Sequence, residues 1–297
     1  MPESETPLFC NYDNSNYQQD FWGEGKRAYE DASEAIALKK LLPAQGNLML
    51  EIGAGAGRNT PRYEGYKRIV LMDYALTQMQ QAQAALGKSE RYVYVAADVY
   101  HLPFADSLFD GGTMIRVIHH LSELPPAFNE IERVLQTNAT FILEYANKRN
   151  LKAILRYLTG KQSWNPMDLR PVEFVKLNFS NHPQTVEREL TKTGFSIKKV
   201  LSVSNLRIRS LKNEKNLGWM LKVERFLQDF AGGLRLSPSI FLQTILTRQK
   251  PNALPTEFFR CPNCSSYELV EEALLVHCHG CGRDYPIVDG IYDFRLK

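Results

Sequence analysis

The spacing of hydrophobic residues divides the chain into alternating helices and strands. From about residue 25 to residue 42 the apolar positions recur with a helical period, and short apolar runs bounded by turn residues follow. These runs predict strands at residues 47–52, 66–73, 92–97, 111–116, 140–145, 196–206 and 240–248. Helical spacing predicts further helices at residues 75–86, 125–135 and 183–193. This alternation predicts an α/β fold with a doubly wound, mostly parallel seven-stranded sheet.

The chain divides into three parts. Residues 1–19 form a polar lead-in, residues 20–250 carry the alternating pattern, and residues 257–297 form a short segment rich in cysteine. Two prolines in residues 251–255 predict a linker between the last two parts. Within the large domain, residues 147–181 have the least regular pattern.

Bulk composition is that of a globular protein, with 297 residues, 44% of them hydrophobic and 23% charged. No apolar run approaches the length of about 18 residues that suggests a membrane-spanning helix. The acidic N-terminus is the reverse of a secretory signal. Four of the five cysteines lie close together near the C-terminus, which favours a metal site over a disulfide framework. We therefore expect a cytoplasmic protein.

Charge is distributed unevenly along the chain. Residues 1–147 carry 12 basic against 19 acidic residues, whereas residues 148–222 carry 16 against 5, a local net charge of +11. Such an excess predicts either an anionic partner or a set of solvated helix faces. In residues 148–158, basic residues alternate with leucine and isoleucine, which predicts an amphipathic helix. Its apolar side is available for the core, a lipid-like substrate or peripheral contact with a membrane.

A glycine-rich turn follows the first predicted strand. Glycine at every second position, Gly53, Gly55 and Gly57, lets the backbone turn tightly and approach a ligand closely. The dinucleotide motif G-x-G-x-x-G would need a glycine where Arg58 stands. The acidic residue before the turn, Glu51, would repel a pyrophosphate but suits a ligand with positive charge. S-adenosylmethionine, which carries ammonium and sulfonium groups and no phosphate, fits this pattern.

Two further acidic residues follow predicted strands at the same edge of the sheet. Ligands of open α/β sheets bind beyond the carboxyl ends of the strands. Asp73 ends the second strand, where a carboxylate can accept hydrogen bonds from a ribose diol. Asp98 follows the third strand and can accept a hydrogen bond from an exocyclic amine. Its neighbour Val99 can lie against an adenine ring.

Residues 98–121 contain the sequence DVYHLPFADSLFDGG and then RVIHHL. Together with the glycine-rich turn, this stretch resembles class I S-adenosylmethionine-dependent methyltransferases of the type 11 group, over roughly residues 20–250. The resemblance implies a Rossmann-like fold with S-adenosylmethionine as cofactor. In this family the turn and its preceding acid line the methionine side, and the acids after the second and third strands face the ribose and the adenine. The residue at the end of the fourth strand contributes its backbone.

The cofactor-binding residues predicted on this basis, with their immediate neighbours, are Glu51, Gly53, Ala54, Gly55, Gly57, Asp73, Tyr74, Asp98, Val99 and Arg116. The family's entry helix also corresponds to the start of the first predicted helix. There, either Arg27 or Tyr29 could close over the methionine carboxylate.

Methyl transfer from a sulfonium is an in-line displacement in which the protein aligns the nucleophile with the methyl carbon. A general base is optional and depends on the pKa of the acceptor. Polar candidates near the carboxyl edge of the sheet are His119, His120, Glu144 and Tyr145. For the two histidines, a structural role in holding the loop after the fourth strand is favoured over catalysis.

The C-terminal cysteines have the spacing C-x2-C-x13-C-x2-C, formed by Cys261, Cys264, Cys278 and Cys281. Two such knuckles predict a closed tetrahedral Zn²⁺ site, which is structural because it leaves no open coordination position. Residues 284–291 resemble the ending of Trm112-like zinc ribbons, which are small partners of methyltransferases. We expect zinc removal to unfold residues 257–297 and to leave cofactor binding largely intact, because the glycine-rich turn lies in the other domain.

These features favour an S-adenosylmethionine-dependent methyltransferase that acts on a small or amphiphilic metabolite. The basic segment and the ribbon leave open an RNA or protein methyltransferase, with the ribbon as a recognition or stabilising module. A third interpretation is a non-catalytic scaffold that binds the cofactor. The fourth predicted strand is followed by RVIH at residues 116–119 rather than by the Asn/Asp-Pro-Pro-Tyr/Phe motif, which argues against methylation of base or glutamine amines.

Overall fold

Strands and helices alternate along the chain, as the sequence predicts. The computed structural model describes residues 27–208, 211–250 and 256–296. The helices are α1 (Ala28–Leu41), α2 (Leu76–Leu86), α3 (Leu124–Val134), α4 (Leu151–Leu158), α5 (Pro183–Lys192) and α6 (Glu214–Phe230). The strands are β1 (Gly46–Ile52), β2 (Tyr66–Asp73), β3 (Tyr92–Ala96), β4 (Phe109–Met114), β5 (Leu135–Ala146), β6 (Val172–Val175), β7 (Asn178–Ser180), β8 (Phe195–Val203), β9 (Ser239–Leu246), β10 (Leu269–Glu271), β11 (Leu275–Cys278), β12 (Asp284–Val288) and β13 (Ile291–Asp293).

Seven strands form the central sheet in the order β3-β2-β1-β4-β5-β9-β8. The pairings from β3 to β5 are parallel, and β9 runs antiparallel to both of its neighbours. The predicted seven-stranded, mostly parallel sheet is therefore confirmed. Because parallel strands share the direction of their carboxyl ends, the turns after β1, β2, β3 and β4 meet at one edge.

The core lies in two layers, one on each face of the sheet. Along β2, Val70 and Met72 face one apolar cluster, while Ile69 and Leu71 face the other. All four side chains are buried, which is why the strand reads as a continuous apolar run. Helices α3 and α5 cover the first face, and α1 and α2 cover the second.

Several strand boundaries differ from the prediction; β8 and β9, for example, end at Val203 and Leu246 rather than at residues 206 and 248. Two of the differences have a local reason. The fourth strand ends at Met114, because Arg116 has a φ of +60° in the left-handed region and the chain has already left the strand. The fifth strand begins at Leu135 rather than at residue 140, because α3 passes directly into it. The irregular segment 147–181 contains α4, the predicted amphipathic helix in a shorter form, and the β6–β7 hairpin.

Helix α6 has no counterpart among the predicted elements. Its apolar residues lie on two faces, since Met220 is buried while Trp219, Phe226 and Phe230 are exposed. A helix with a single apolar face is recognised by its 3.6-residue hydrophobic period. This period is weak when the helix has two apolar faces, as α6 does.

The C-terminal segment is docked onto the central sheet. Strand β13 pairs in parallel with β3, with Tyr292 opposite Val95, and β12, β11 and β10 continue the sheet to eleven strands. The backbone N–H of Phe294 donates to the carbonyl of Ala96 at 2.8 Å. The ring of Phe294 also packs against Phe259, with the ring centres 4.8 Å apart. Residues 257–296 therefore pack against the central sheet, while the predicted linker at residues 251–255 lies outside the described residues.

Candidate cofactor pocket and cysteine cluster

A pocket opens at the carboxyl ends of β1, β2 and β4, where the sequence predicts the cofactor. Eight of the ten predicted cofactor residues line it, namely Glu51, Gly53, Ala54, Gly55, Asp73, Tyr74, Val99 and Arg116. The other two, Gly57 and Asp98, lie next to lining residues without facing the cavity. The wall also includes His120, Val117 and Leu121 from the segment after β4.

The glycine-rich turn has a backbone conformation that glycine adopts without strain. The φ angles of Gly53, Gly55 and Gly57 are +69°, +53° and +76°. At Gly53 a Cβ atom would also come within 2.0 Å of Cγ2 of Val117 on the pocket wall. A side chain at this position would both strain the backbone and intrude on the pocket.

Asp73 is oriented by backbone N–H groups of the turns that follow β1 and β2. Its Oδ2 accepts a hydrogen bond from the N–H of Gly55 at 2.9 Å, and its Oδ1 accepts one from Ala75 at 3.0 Å. Asp73 also lines the pocket, and a carboxylate offers about four lone-pair sites. Asp73 can therefore serve as a fixed acceptor for ligand hydroxyl groups.

Asp98 turns into the loop after β3. Its Oδ1 accepts a hydrogen bond from the N–H of Tyr100 at 2.9 Å, and its Oδ2 lies 3.1 Å from Nδ1 of His101. The neighbouring Val99 lines the pocket. Asp98 thus shapes the loop that presents Val99 to a ligand.

Glu51 is a buried carboxyl group in the pocket wall. Its Oε2 accepts a hydrogen bond from the Thr60 hydroxyl at 2.6 Å, and its Oε1 accepts one from Tyr63 at 3.2 Å. Burial raises the pKa of Glu51 to about 7, although these hydrogen bonds and nearby arginine charges favour the ionised form. The charge of this wall therefore changes near neutral pH.

We expect the affinity for S-adenosylmethionine to rise with pH through neutrality, because only ionised Glu51 attracts the ligand's ammonium group. With a pKa of about 7, affinity should be up to about tenfold higher at pH 8 than at pH 6. Calorimetric titration of the wild type and of Glu51→Gln at both pH values tests this, with exposed Glu64→Gln as the control. A wild-type affinity that does not change with pH would contradict the role of Glu51.

The same raised pKa has a consequence for folding. Between the ordinary value of 4.5 and about 7, the folded state holds the Glu51 proton more tightly than the unfolded state does. The contribution of Glu51 to the free energy of unfolding therefore falls as pH rises through this window.

A buried ionic network closes the pocket on the side of α1. Glu34 is fully buried and accepts hydrogen bonds from Arg58 at 2.6 Å and from Arg116 at 2.6 Å. Both arginines line the pocket, where a ligand carboxylate is a chemically suitable partner. Sequence reasoning missed this network because its members are distant in the chain. The signal that could have found it is the acidic pair Asp31 and Glu34 in the early turns of α1.

Tyr29 lies away from the pocket, contrary to the sequence expectation for the entry helix. Its hydroxyl donates to Oε2 of Glu224 at 2.7 Å and accepts from the N–H of Leu206 at 2.9 Å. Tyr29 thus joins α1 to α6. Arg27, which the structure describes, does not line the pocket either.

The two histidines after β4 occupy different places. His120 lines the pocket, and its Nδ1 lies 3.3 Å from the carbonyl of Leu177 in the β6–β7 hairpin. His119 is behind it, with the ring centres 4.0 Å apart. Burial lowers the pKa of both imidazoles, and that of His119 lies well below its usual value. Both rings are therefore mainly neutral at pH 7, and His120 touches both the pocket and the hairpin.

Glu144 and Tyr145 lie outside the pocket wall. Glu144 accepts hydrogen bonds from the N–H of Arg116 at 2.9 Å and from the Ser239 hydroxyl at 2.5 Å, which holds the left-handed turn at Arg116. The Tyr145 hydroxyl is buried without a hydrogen-bond partner among the described residues. Burial raises its pKa well above the usual value, so it is not a proton acceptor at neutral pH.

The four C-terminal cysteines converge on one point. Their sulfur atoms all lie within 4.8 Å of one another, with Cys261 and Cys281 at 3.8 Å and Cys264 and Cys278 at 3.6 Å. Tetrahedral Zn–S bonds of about 2.3 Å place sulfurs about 3.8 Å apart. Disulfides would instead require about 2.05 Å. The hydroxyl of Tyr285, 3.1 Å from Sγ of Cys261, is a further hydrogen-bond partner of the cluster. The donor set therefore fits zinc.

The ribbon reaches the cofactor pocket through its last residues. The buried Arg295 forms a bidentate pair with Asp293, with both N···O distances at 2.7 Å. Its guanidinium lies 5.7 Å from the ring centre of Tyr74 and donates to the Tyr74 carbonyl at 3.4 Å. Since Tyr74 lines the pocket, the ribbon contacts a residue of the pocket wall, a contact that the expectation of independent cofactor binding does not include.

Comparison with known proteins agrees with the fold. Residues 50–143 match the family described as a methyltransferase domain. The chain is similar to the O-methyltransferase cnsE of Penicillium expansum, 27% identical over 109 residues that make up 35% of this chain and 40% of that protein. It is also similar to the malonyl-[acyl-carrier protein] O-methyltransferase of Legionella pneumophila, 28% identical over 127 residues, or 42% of this chain and 45% of that protein. The chain thus spans less than half the length of either relative.

A solved S-adenosylmethionine-dependent methyltransferase from Mesorhizobium loti shares the fold. The two structures superpose with a TM-score of 0.51 at 16% identity, covering 73% of this chain and 99% of the other. The chain therefore shares the Rossmann-like fold of that structure, and its residues 50–143 match the methyltransferase domain family. Among the helices of the described residues, none is long and apolar enough to cross a membrane.

Proposed function

We propose that the chain binds S-adenosylmethionine in this pocket and transfers its methyl group to a small or amphiphilic acceptor. The observation that carries the proposal is the pairing of the glycine-rich turn with Asp73, whose carboxylate is held by Gly55 at 2.9 Å inside the pocket. A second acid, Glu51, stands in the same wall. Two carboxylates suit a ligand with a diol and an ammonium group, and they oppose a pyrophosphate.

Different residues of the pocket would bind different groups of S-adenosylmethionine. Asp73 would accept the ribose hydroxyls, Glu51 would face the ammonium group, and apolar Val99 would lie against the adenine. Arg58 and Arg116, fixed by Glu34, would attract the methionine carboxylate. The bound cofactor supplies a methyl group that its sulfonium already activates, so the protein's main task is alignment.

If the methyl acceptor is a hydroxyl or an amine, His120 is the pocket side chain that would accept its proton. Its imidazole is neutral at pH 7 because burial lowers its pKa, and it stands in the pocket wall. A neutral ring can accept a proton from a hydroxyl or amine acceptor. A carboxylate acceptor needs no such step, because it is already a nucleophile.

We favour a small or amphiphilic acid as the acceptor. One relative bears the name of a malonyl-[acyl-carrier protein] O-methyltransferase, and another is an O-methyltransferase. Segment 148–222, which follows β5, carries a net charge of +11 and suits an anionic acceptor.

Transfer of an isotopically labelled methyl group tests the acceptor class. The protein is incubated with labelled S-adenosylmethionine and, separately, with carboxylic acids of increasing chain length, with RNA and with cell protein. We expect label in the small-molecule fraction as a base-labile methyl ester. Label in RNA or protein would favour the macromolecular alternative, and cofactor binding without any transfer would favour the scaffold.

We also propose that the cysteine cluster holds one structural zinc ion per chain. Four thiolates complete its coordination, so the metal would stabilise the ribbon without touching a substrate. Because such a site requires reduced thiols, we expect the chain to act in a reducing compartment such as the cytoplasm.

A further inference from the structure

Exposed apolar side chains are concentrated in one part of the chain. Among the described residues, 17 large hydrophobic side chains are exposed, and 13 of them lie between residues 151 and 234. This stretch overlaps the basic segment 148–222, with its net charge of +11. Concentrated apolar exposure of this kind marks an interaction surface.

Helix α6 contributes a continuous apolar stripe. Trp219, Val223, Phe226 and Phe230 follow one another at intervals of four, three and four residues, which places them on one face. All four are exposed, and Phe226 and Phe230 are 66% and 70% accessible. Their rings stack on each other, with the centres 5.6 Å apart.

The opposite face of α6 already attaches the helix to the domain. Glu224 accepts the Tyr29 hydrogen bond, and Nε2 of Gln228 donates to the carbonyl of Ser33 at 2.8 Å. Met220 on the same face is fully buried. The outer stripe is therefore not needed to hold the helix in place.

Helix α4 also carries exposed apolar side chains. Leu155 and Leu158 are 53% and 73% exposed. The start of α4 is tied to the segment that follows α6, because Arg149, just before α4, donates to the carbonyl of Leu234 at 2.9 Å and the N–H of Leu151 donates to the carbonyl of Leu236 at 2.8 Å. We call the exposed apolar residues of α4 and α6 the outer patch.

Cations flank the outer patch without acidic partners. Within the described part of the chain, no ion pair involves Lys152, Arg156, Lys215, Lys222 or Arg225. All five side chains are exposed. Aromatic and leucine side chains with unpaired Lys and Arg at their edge complement an anionic bilayer, which offers acyl chains and phosphate charge together.

We propose that the outer patch binds peripherally to a membrane that contains anionic lipid. The aromatic stripe of α6 and the leucines of α4 enter the interface, and the flanking cations contact lipid phosphates and carboxylates. This goes beyond methyl transfer and does not depend on the identity of the acceptor. It also places the irregular segment after β5, at the carboxyl edge of the sheet, next to the lipid.

Vesicle flotation tests the proposal with the full chain. Vesicles of phosphatidylcholine alone are compared with vesicles that also contain phosphatidylserine. We expect binding only to the second kind, and weaker binding as salt rises. Charge reversal by Lys222→Glu with Arg225→Glu should weaken binding about tenfold or more, since each basic residue near an anionic surface contributes about 1 kcal/mol. Exposed Lys67→Glu with Lys88→Glu is the matched control.

Two double variants, one on each helix, test the contributions of α6 and α4 to lipid binding separately. Phe226→Ser with Phe230→Ser and Leu155→Ser with Leu158→Ser should each reduce flotation, whereas Leu274→Ser, at a site on the ribbon that is 75% exposed, should not. Each variant is also titrated with S-adenosylmethionine, so that loss of lipid binding is distinguished from loss of folding or of the proposed cofactor site.

Three outcomes would overturn the proposal. The first is that the wild type and the charge-reversed variant bind equally well, and that each binds equally well to both kinds of vesicle. The second is a stable dimer that dissociates when Phe226 and Phe230 are replaced, because a second copy would then cover the patch. The third is salt-sensitive binding of RNA with no binding of vesicles.

Discussion

Replacing Cys261 and Cys278 together by serine is expected to abolish zinc binding, unfold the ribbon and weaken S-adenosylmethionine binding at least tenfold. Structural zinc sites contribute about 10–16 kcal/mol in small zinc-finger peptides, so loss of the metal removes most of what orders such a segment. The effect should extend to the pocket because Arg295, held by Asp293, contacts Tyr74, and β13 pairs with β3.

Elemental analysis, limited proteolysis and calorimetry measure the three effects of the double cysteine variant. Cys10→Ser, which replaces the one cysteine outside the cluster, is the matched control. Since the double variant can fail to fold as a whole, Arg295→Gln provides a milder test with the zinc site intact. Zinc retained by the double variant, or wild-type cofactor affinity in both zinc-free protein and Arg295→Gln, would contradict the coupling.

Gly53→Ala is expected to lower the affinity for S-adenosylmethionine at least tenfold. A non-glycine residue in the left-handed region costs about 1–2 kcal/mol, and Gly53 has a φ of +69°. The new Cβ would in addition stand 2.0 Å from Cγ2 of Val117, so the pocket wall must shift.

Gly87→Ala is the matched control for Gly53→Ala. Gly87 has a φ of +81° but nothing within 4 Å of an added Cβ, and it does not line the pocket. Both variants should lose stability in thermal unfolding, while only Gly53→Ala should lose cofactor affinity. Equal affinities for the two variants would remove the glycine-rich turn from the binding site.

The order of strands and helices could be predicted because each central strand is covered on both faces. Such a strand is a continuous apolar run, as at β2, and the covering helices bury one face each. Helix α6 escaped prediction because it is apolar on two faces, one buried and one exposed. The start of β5 at Leu135 escaped because no turn separates it from α3.

The parts of the site close together in sequence were predictable, and the parts assembled from distant residues were not. The turn at Gly53, the acid Asp73 and the cysteine spacing are local patterns with a chemical meaning. The bridge from Glu34 to Arg58 and Arg116 forms only when α1 packs over the turn. Docking of β13 on β3 likewise depends on pairing between segments about 200 residues apart, which no local period encodes.

The most direct measurement is a calorimetric titration of the wild-type chain with S-adenosylmethionine and, separately, with NADH. We predict one site per chain for S-adenosylmethionine and no binding of NADH. Asp73→Asn should weaken S-adenosylmethionine binding by about 1–3 kcal/mol through the loss of a charged acceptor, while exposed Glu64→Gln should bind as the wild type does. Tight binding of NADH, or S-adenosylmethionine binding that Asp73→Asn leaves unchanged, would contradict the assignment of this pocket.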